Sequence, residues 1–232
     1  MKRGLTLIFA ALAFLACQAT EYTSKSFSIK PFSRIAFIGG YRIHLVQSSK
    51  PFLSINGKAH IIEKIKVSNR EGLLLVEIPK YRDRRMRLKS DEIPTLLISF
   101  KSINNLYIEG YADVSSSNTL TFNDLTVSIK GSSKLRVSLR CNSLSMDVSG
   151  ASYSKLAGFA KVFSLNMRGA GMFDGYNLET SRTRIRIDGT GKARISAKQS
   201  LSGEINGFGS LFYKGNPTVD VRKNFGIVKQ IP

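Results

Sequence analysis

A glycine-centred turn that recurs about every 19 residues is the feature that most constrains the fold of this chain. The turns begin at Gly110, Gly131, Gly150, Gly169, Gly189 and Gly207, at intervals of 21, 19, 19, 20 and 18 residues. A fixed period near 20 residues indicates units that stack on their neighbours along one axis. The repeat constrains the architecture far more closely than the function.

Each unit combines an alternating ladder with a turn of small residues. The positions six, four and two before the first glycine are mostly apolar, as in Leu144, Met146 and Val148 before Gly150, and the residues between them are mostly polar. This alternation is typical of a strand with one buried face. The second position after the first glycine is small in every unit, which suits a tight turn. These residues are Ala112, Ser133, Ser152, Gly171, Gly191 and Gly209.

The repeat predicts an all-β protein, a parallel β-solenoid with about 19-residue repeats and an interior of Leu, Ile, Val and Met. One unit alone cannot bury its apolar face, but stacked units pair each strand with its counterpart one turn away. An antiparallel β-sandwich also places strands at short regular spacing and is the alternative. The recurring order of apolar and small positions favours the solenoid. A weaker last unit contains Gly226, with Val219 and Val221 one position out of register.

The solenoid is predicted over residues 106–232, preceded by an irregular β-rich part over residues 32–105 and a tether over residues 20–31. Within the irregular part, residues 34–47 resemble two strands around Gly39-Gly40, interpreted as a diverged first repeat, and a hairpin is expected around residues 69–72. An uncovered solenoid end exposes strand edges that can pair with other chains. We therefore expect the irregular part to cap the first turn.

The N-terminus has the pattern of an export signal over residues 1–19. Lys2 and Arg3 precede a short apolar segment that is too short to span a membrane. The segment Phe14-Leu15-Ala16-Cys17 resembles the lipobox of bacterial lipoproteins, in which the signal ends before a lipidated cysteine, here Cys17; Gln18 then implies an outer-membrane anchor. The alternative is ordinary cleavage after Ala19 and a periplasmic or cell-surface protein. In either case Cys141 is a lone thiol, expected to be a small core residue.

A large positive charge indicates attraction to anionic surfaces. The net charge is +19, and removal of residues 1–16 takes away Lys2 and Arg3 and leaves +17. Lipopolysaccharide phosphates, acidic glycans, nucleic acid and anionic membranes all attract such a chain. The export signal and the absence of a recognised nucleic-acid-binding fold count against nucleic acid. The predicted partner is an anionic glycan, lipopolysaccharide or another protein, with membrane contact only through the lipid anchor.

Two clusters are candidate anion-binding sites. The first is the basic run formed by Lys80, Arg82, Arg84, Arg85, Arg87 and Lys89, interpreted as a loop whose guanidinium groups bind phosphate or sulfate, or as a solvated hairpin tip. The second is Arg182, Arg184 and Arg186, which alternate with Thr183, Ile185 and Ile187 and therefore share the outer face of one strand. Lys130, Lys134, Arg136, Arg140, Arg168, Lys192, Arg194 and Lys198 extend this basic surface. The alternative is that these charges only keep the faces soluble.

The sequence shows no convincing catalytic constellation. Glu109 and Asp188 share a column of the repeat but lie four turns apart, about 19 Å at about 4.8 Å per strand. His44 and His60 are isolated and do not suggest a metal site. We therefore predict no catalytic residues, no metal and no cofactor. A polysaccharide lyase or hydrolase on the same scaffold is an alternative that rests on architecture alone, and a purely structural role is a third.

Three segments and the serial turns resemble one known family. The segments are residues 32–43, 71–75 and 207–217, the last being the most specific. The chain resembles the auto-transporter adhesin, head GIN domain family over about residues 32–231. The resemblance implies an export signal, a β-helix-like fold and an adhesin-like binding role, and it offers no catalytic residues. The chain departs from the usual glycine-serine-glycine turns at Gly110, Gly131 and Gly150, and it is unusually basic.

Overall fold

The protein is an all-β parallel solenoid of about six turns, as the repeat predicts. The structure, a computed structural model, describes residues 22–79 and 88–232. Strands account for 74% of the described residues and helix for 4%. The strands are β1 (Tyr22–Ser28), β2 (Arg34–Gln47), β3 (Phe52–Lys58), β4 (Lys66–Arg70), β5 (Leu73–Glu77), β6 (Thr95–Phe100), β7 (Asn105–Ser116), β8 (Leu120–Thr121), β9 (Asp124–Gly150), β10 (Tyr153–Gly169), β11 (Met172–Gly189), β12 (Lys192–Asn206), β13 (Ser210–Lys214), β14 (Thr218–Lys223) and β15 (Ile227–Gln230). Helix α1 (Ala59–Ile62) and a 3-10 turn (Ser90–Glu92) complete the described elements.

Successive turns stack in parallel with the repeat in register. Gly110 of β7 pairs with Gly131 of β9, and Gly150 at the end of β9 pairs with Gly169 of β10. Strand β9 is long enough to contain both Gly131 and Gly150, so it contributes to two successive turns. We call the segments that run into these corner glycines the first sheet, and the segments that follow the corner the second sheet. The return side is less regular, with breaks in register between Gly175 and Glu179 of β11.

The interior is built from the apolar positions of the ladder. Leu144, Met146 and Val148 are each buried, and the equivalent residues of neighbouring turns stack on them. The small residues after each corner are also buried. Their size is required because a Cβ on Gly209 would lie 2.6 Å from the Ile187 Cγ2 atom. The six corner glycines have φ between 112° and 125°, and this region favours glycine.

The stack begins earlier than residue 106. Strand β2 pairs in parallel with β7, with Gly39 opposite Gly110, so that residues 34–47 form a solenoid turn. Before it, β5 and β6 pair in parallel with the two halves of β2. The expected boundary between residues 105 and 106 therefore falls inside one continuous stack.

Antiparallel strands cover the N-terminal end of the stack. Strand β4 pairs with β5, β3 pairs with β6, and β1 pairs with the outer edge of β3. Our expectation of a tether over residues 20–31 is wrong for Tyr22–Ser28, because these residues form β1. The change from parallel to antiparallel pairing ends the solenoid at the N-terminal side. These strands therefore act as a cap, which covers the strand edges that the first turn would otherwise expose.

The C-terminal end consists of the parallel strands β14 and β15, which stack on β12 and β13. Val219 lies opposite Leu201, and Ile227 lies opposite Ser210. The chain therefore uses one residue fewer between Val219 and Ile227 than between Leu201 and Ser210, so the last turn is one residue shorter than the turn before it. This shortening explains why the last unit is out of register. Phe208 and Phe225 stack with their ring centroids 5.5 Å apart, and 72% and 73% of their surfaces are exposed.

Candidate functional site

The predicted arginine cluster lies on the outside of the first sheet. Arg182, Arg184 and Arg186 are exposed and alternate with the buried Thr183, Ile185 and Ile187 on β11. They point to one side because successive residues of a strand face opposite ways.

Carboxylates neutralise part of this arginine cluster. Arg186 donates to an Asp188 oxygen at 2.8 Å and also contacts Glu204 on the next turn. Asp188 accepts a second bond of 2.9 Å from the Asn206 amide. The hydrogen bond from Arg186 holds the pKa of Asp188 below its ordinary value, and the same bond raises the pKa of Arg186. Arg186 is thus the least available of the three for an external anion.

A shallow groove of about 460 Å³ runs across the same end of the first sheet. Arg184, Arg186 and Arg222 line it together with Glu204 and Asp220. Two carboxylates offset the three arginines that line this groove, so it does not favour a purely anionic ligand.

The whole outer face of the first sheet is close to electrically balanced. From β7 to β14 its outward positions carry as many cations as carboxylates. The cations are Lys130, Arg168, Arg182, Arg184, Arg186 and Arg222, and the carboxylates are Glu109, Asp124, Asp147, Asp188, Glu204 and Asp220.

The second sheet carries a large excess of positive charge. Its outward columns from β7 to β15 contain the cations Lys134, Arg136, Arg140, Lys155, Lys192, Arg194, Lys214 and Lys229, and the carboxylates Asp113, Asp174 and Glu179. Asp113 pairs with Arg136 at 2.6 Å, and Asp174 lies 3.9 Å from Arg194. Of the two sheets, the second therefore carries the excess of positive charge.

Aromatic rings are interleaved with these cations. The Lys192 ammonium lies 4.8 Å from the centre of the Phe212 ring, and the Arg194 guanidinium and Lys214 ammonium lie 5.4 Å and 5.1 Å from the Tyr176 ring. A cation over an aromatic face is attracted by the quadrupole of the ring. We call Tyr176, Lys192, Arg194, Phe212 and Lys214 the aromatic–cation strip.

Tyr176 is partly shielded from water within this strip. Burial raises the pKa of its phenol; Arg194 opposes this shift and Asp174 adds to it. The hydroxyl therefore stays protonated around neutral pH and can donate a hydrogen bond to a ligand.

The basic run falls mostly outside the described residues. Lys80, Arg82, Arg84, Arg85 and Arg87 lie between Pro79 and Leu88, outside the described residues. Cys17 precedes Tyr22 and also lies outside them. Of the run, only Lys89 belongs to the described residues. It is exposed, and its backbone N–H donates to Glu92 at 2.9 Å.

Sequence reasoning found several second-sheet cations but missed Tyr176 and Phe212. A signal was available in part, because Phe212 follows the corner glycine Gly207 at the same offset as Arg194 follows Gly189. Tyr176 carries no such signal, because it projects from the break in register between Gly175 and Glu179.

The described residues contain no cluster of three His, Cys, Asp or Glu side chains that could hold a metal ion. The ring nitrogens of His44 contact the hydroxyl of Ser115 at 3.3 Å and that of Ser117 at 2.9 Å. A serine nucleophile is activated by a base that a third group orients. If His44 were the base and one of these serines the nucleophile, the orienting group would be the other serine, which is neutral. Over residues 22–79 and 88–232, no helix is long and apolar enough to cross a membrane.

The stacked turns, the antiparallel cap and the charged outer faces define a capped parallel β-solenoid. Residues 31–217 match the family described as "Putative auto-transporter adhesin, head GIN domain". The chain belongs to this family, as the resemblance of its turns and segments predicts. No curated protein matches the chain.

Solved structures share the fold. A putative adhesin from Bacteroides fragilis is 24% identical, with a TM-score of 0.81, and the alignment covers 92% of this chain and 98% of that one. A putative lipid binding protein from Parabacteroides distasonis is 16% identical with a TM-score of 0.70, and a putative adhesin from Parabacteroides merdae is 18% identical with a TM-score of 0.59. Both alignments cover the same shares of the two chains. At these identities the likeness establishes the fold.

Proposed function

We propose that this protein is a non-catalytic, exported binding module that presents a basic solenoid face to an anionic glycan or to lipopolysaccharide. The observation that carries the proposal is the uneven distribution of charge. The first sheet is balanced, whereas cations outnumber carboxylates on the second sheet. A surface that only needed solubility would gain nothing from segregating its charges in this way.

The geometry of a solenoid supports binding of a polymer. Adjacent rows of second-sheet side chains repeat at about 4.8 Å, the spacing of paired strands. Arg136, Lys155 and Arg194 share one outward column of this sheet, and a chain with repeated negative groups can contact several of them at once. Such repeated contacts raise the overall affinity above that of one pair.

The family supports a role at the cell surface. Its description and two of the structural relatives refer to adhesins, and one relative is described as a lipid binding protein. Together with the signal pattern of residues 1–19, these names support export. We extend the proposal to lipidation at Cys17 and anchoring in the outer membrane.

The test measures binding of residues 20–232 to an array of neutral and acidic bacterial and host glycans and lipopolysaccharides, at low and high salt. The variant K134Q/K155Q/K192Q removes three charges from the second sheet. Its matched control, R168Q/R182Q/R184Q, removes three charges from the first sheet and so changes the net charge equally.

We expect selective binding to acidic glycans that weakens at high salt without vanishing. The second-sheet variant should bind at least about 10-fold more weakly, or about 1.4 kcal/mol, and the first-sheet control should change by less than about 3-fold. An equal loss in both variants would show that only the overall charge acts. No binding to any anionic glycan at low salt would overturn the proposal and leave a protein partner or a structural role.

A further inference from the structure

The aromatic–cation strip offers a kind of contact that charge alone does not provide. It spans β11, β12 and β13 on the second sheet, with Arg194 paired in register with Phe212. Two rings and three cations thus lie side by side on three consecutive turns.

The position of Tyr176 depends on an irregularity in the stack. The register between β11 and β12 breaks after Gly175 and resumes at Glu179, so Tyr176 has no regular partner in β12. The extra length lets its ring reach Arg194 on the next turn and Lys214 on the turn after that. A break in a ladder of this kind often re-aims a side chain at a functional surface.

The cations of the strip keep their capacity for an external anion. Within the described residues, the only carboxylate within ion-pair distance of the strip's cations is Asp174, at 3.9 Å from Arg194. Lys192 and Lys214 contact rings and no described carboxylate. By contrast, Arg186 on the first sheet contacts two carboxylates. An ammonium group over a ring still has N–H donors for another partner.

The rings also reduce the entropic cost of binding. A free lysine or arginine side chain loses rotamer freedom when a ligand holds it. Contact with Phe212 and Tyr176 already restricts Lys192, Arg194 and Lys214 in the unbound protein. These three cations are therefore better prepared to receive an anion than cations on flexible, uncovered side chains.

We propose that the aromatic–cation strip is a binding subsite for an acidic oligosaccharide, whose sugar rings pack on the solvent-accessible parts of the Tyr176 and Phe212 side chains while their anionic groups contact Lys192, Arg194 and Lys214. This inference rests on the proposed function and names its ligand chemistry. The C–H groups on one face of a sugar ring pack against an aromatic ring, and the phenol of Tyr176 can donate to a sugar hydroxyl. The oligosaccharide lies along the solenoid axis, since the strip crosses three turns in that direction.

The ligand class follows from the mixture of groups. A bare polyanion such as polyphosphate contacts the cations but has no apolar face for the rings. A neutral glycan has the faces but no charge for the three cations. A sugar that carries a carboxylate, sulfate or phosphate uses both, and these groups occur in uronic-acid glycans and in the core of lipopolysaccharide.

The experiment measures the affinity of residues 20–232 for four probes by isothermal titration calorimetry. The probes are tetragalacturonate, its neutral methyl ester, inorganic polyphosphate and a phosphorylated lipopolysaccharide core oligosaccharide. The first two share the same sugar rings and differ in whether their carboxyl groups are charged or esterified, and polyphosphate has charge without sugar rings. The last probe separates a phosphorylated sugar source from a uronic-acid source.

Three groups of variants separate the contributions of ring and charge. Tyr176→Ala and Phe212→Ala remove one ring each, and Tyr176→Phe and Phe212→Tyr retain them. The variant K192Q/R194Q/K214Q removes the cations, and R182Q/R184Q/R186Q is its charge-matched control on the first sheet. Unchanged circular dichroism and thermal midpoint show that each variant is folded, which is expected because these side chains lie on the outer face.

We expect each ring-to-alanine change to weaken binding of an acidic oligosaccharide at least about 10-fold, or about 1.4 kcal/mol, through loss of one packing contact. Polyphosphate binding should change by less than about 3-fold in those variants. Phe212→Tyr should bind like the original chain, and Tyr176→Phe should lose only the few-fold contribution of the phenol hydrogen bond. The preferred source is the acidic probe that shows the larger dependence on the rings.

Two results would overturn the subsite. The first is that the ring-to-alanine variants bind both polyphosphate and the acidic oligosaccharides as tightly as the original chain does. Charge alone would then be sufficient for binding. The other is equal binding of tetragalacturonate and its methyl ester. No binding of any anionic probe would instead overturn the proposed function itself, so the two failures are distinguishable.

Discussion

A Cβ atom on Gly131 would lie 2.3 Å from the carbonyl oxygen of Gly110, the corner glycine one turn earlier. At the next corner the corresponding distance, from Gly150 to the Gly131 oxygen, is 2.5 Å. Both distances are far below van der Waals contact, and the partner in each case is backbone. The corners of consecutive turns therefore pack backbone on backbone, and only glycine fits between them.

We predict that Gly131→Ala lowers the free energy of unfolding by at least about 2 kcal/mol, because it adds a clash to an unfavourable positive φ. Gly72→Ala is the matched control. Gly72 also has a positive φ, of 72°, but its Cβ would have only Ser33 Oγ nearby, at 3.5 Å. The control should lose about 1 kcal/mol. Urea denaturation of both variants measures the difference, and equal losses would show that stacking at the corner adds nothing.

We predict that Cys141 reacts slowly with thiol reagents in the folded protein. Burial raises the pKa of its thiol to about 11 from 9.0, and Asp124 adds to the shift. At pH 8 the thiolate population is then about 100-fold smaller than in the unfolded chain. Labelling of residues 20–232 by iodoacetamide with and without urea measures this ratio, and comparable rates in the two states would contradict it.

The same pKa shift predicts a dependence of stability on alkaline pH. The unfolded chain releases the thiol proton near pH 9.0, before the folded protein does so near pH 11. Stability from this group is therefore complete below about pH 9 and declines as the pH rises toward about 11. Relative to Cys141→Ala, the original chain should become less stable across this interval in urea denaturation. A constant difference between the two proteins would contradict the shift.

We predict that deletion of residues 218–232 destabilises the protein and promotes aggregation, although the family match ends at residue 217. Strands β14 and β15 cover Leu201, Ile205 and Leu211, which are fully buried. Their loss exposes these side chains and two strand edges of a stack whose stability is shared between neighbouring turns. Thermal denaturation and light scattering measure both effects, with deletion of residues 231–232 as the control. A soluble truncated chain with an unchanged thermal midpoint would show that the last turn is dispensable.

We predict from the sequence that charge reversal at Arg84, Arg85 and Arg87 weakens binding to polyanions. Arginine binds phosphate and sulfate in a bidentate manner, and each reversal replaces attraction by repulsion. The affinity for heparin-like and phosphorylated glycans should fall at least about 10-fold. An unchanged affinity would remove this run from the binding surface and leave the second sheet as the sole candidate.

The regular part of the fold was predictable because its physical signal repeats. Alternation before each corner glycine identified inward residues such as Leu144 and Met146, and the small residues marked the turns. Strand β1 was missed because its sequence has no apolar alternation: it is an edge strand whose residues are almost all exposed. A strand that buries no face leaves no periodic pattern to detect.

The candidate site was less predictable because it depends on departures from the repeat. The pairing of Arg186 with Glu204 follows from an offset of one turn and could have been inferred from the alignment of units. The contacts of Tyr176 could not, because they arise where the register breaks. Periodicity indicates which residues face outward, but contacts between outward residues on different turns depend on the local length of each turn.

The two ends of the solenoid differ in how easily they could accept an additional repeat during evolution. Antiparallel strands close one end, so a duplicated repeat inserted there would have to displace β3 and β4 from their partners. At the other end the strands remain parallel to the stack, and a new unit of about 19 residues can join without disturbing the cap. Each duplication adds one row of outward side chains to the second sheet, so the number of repeats sets the length of that face along the solenoid axis.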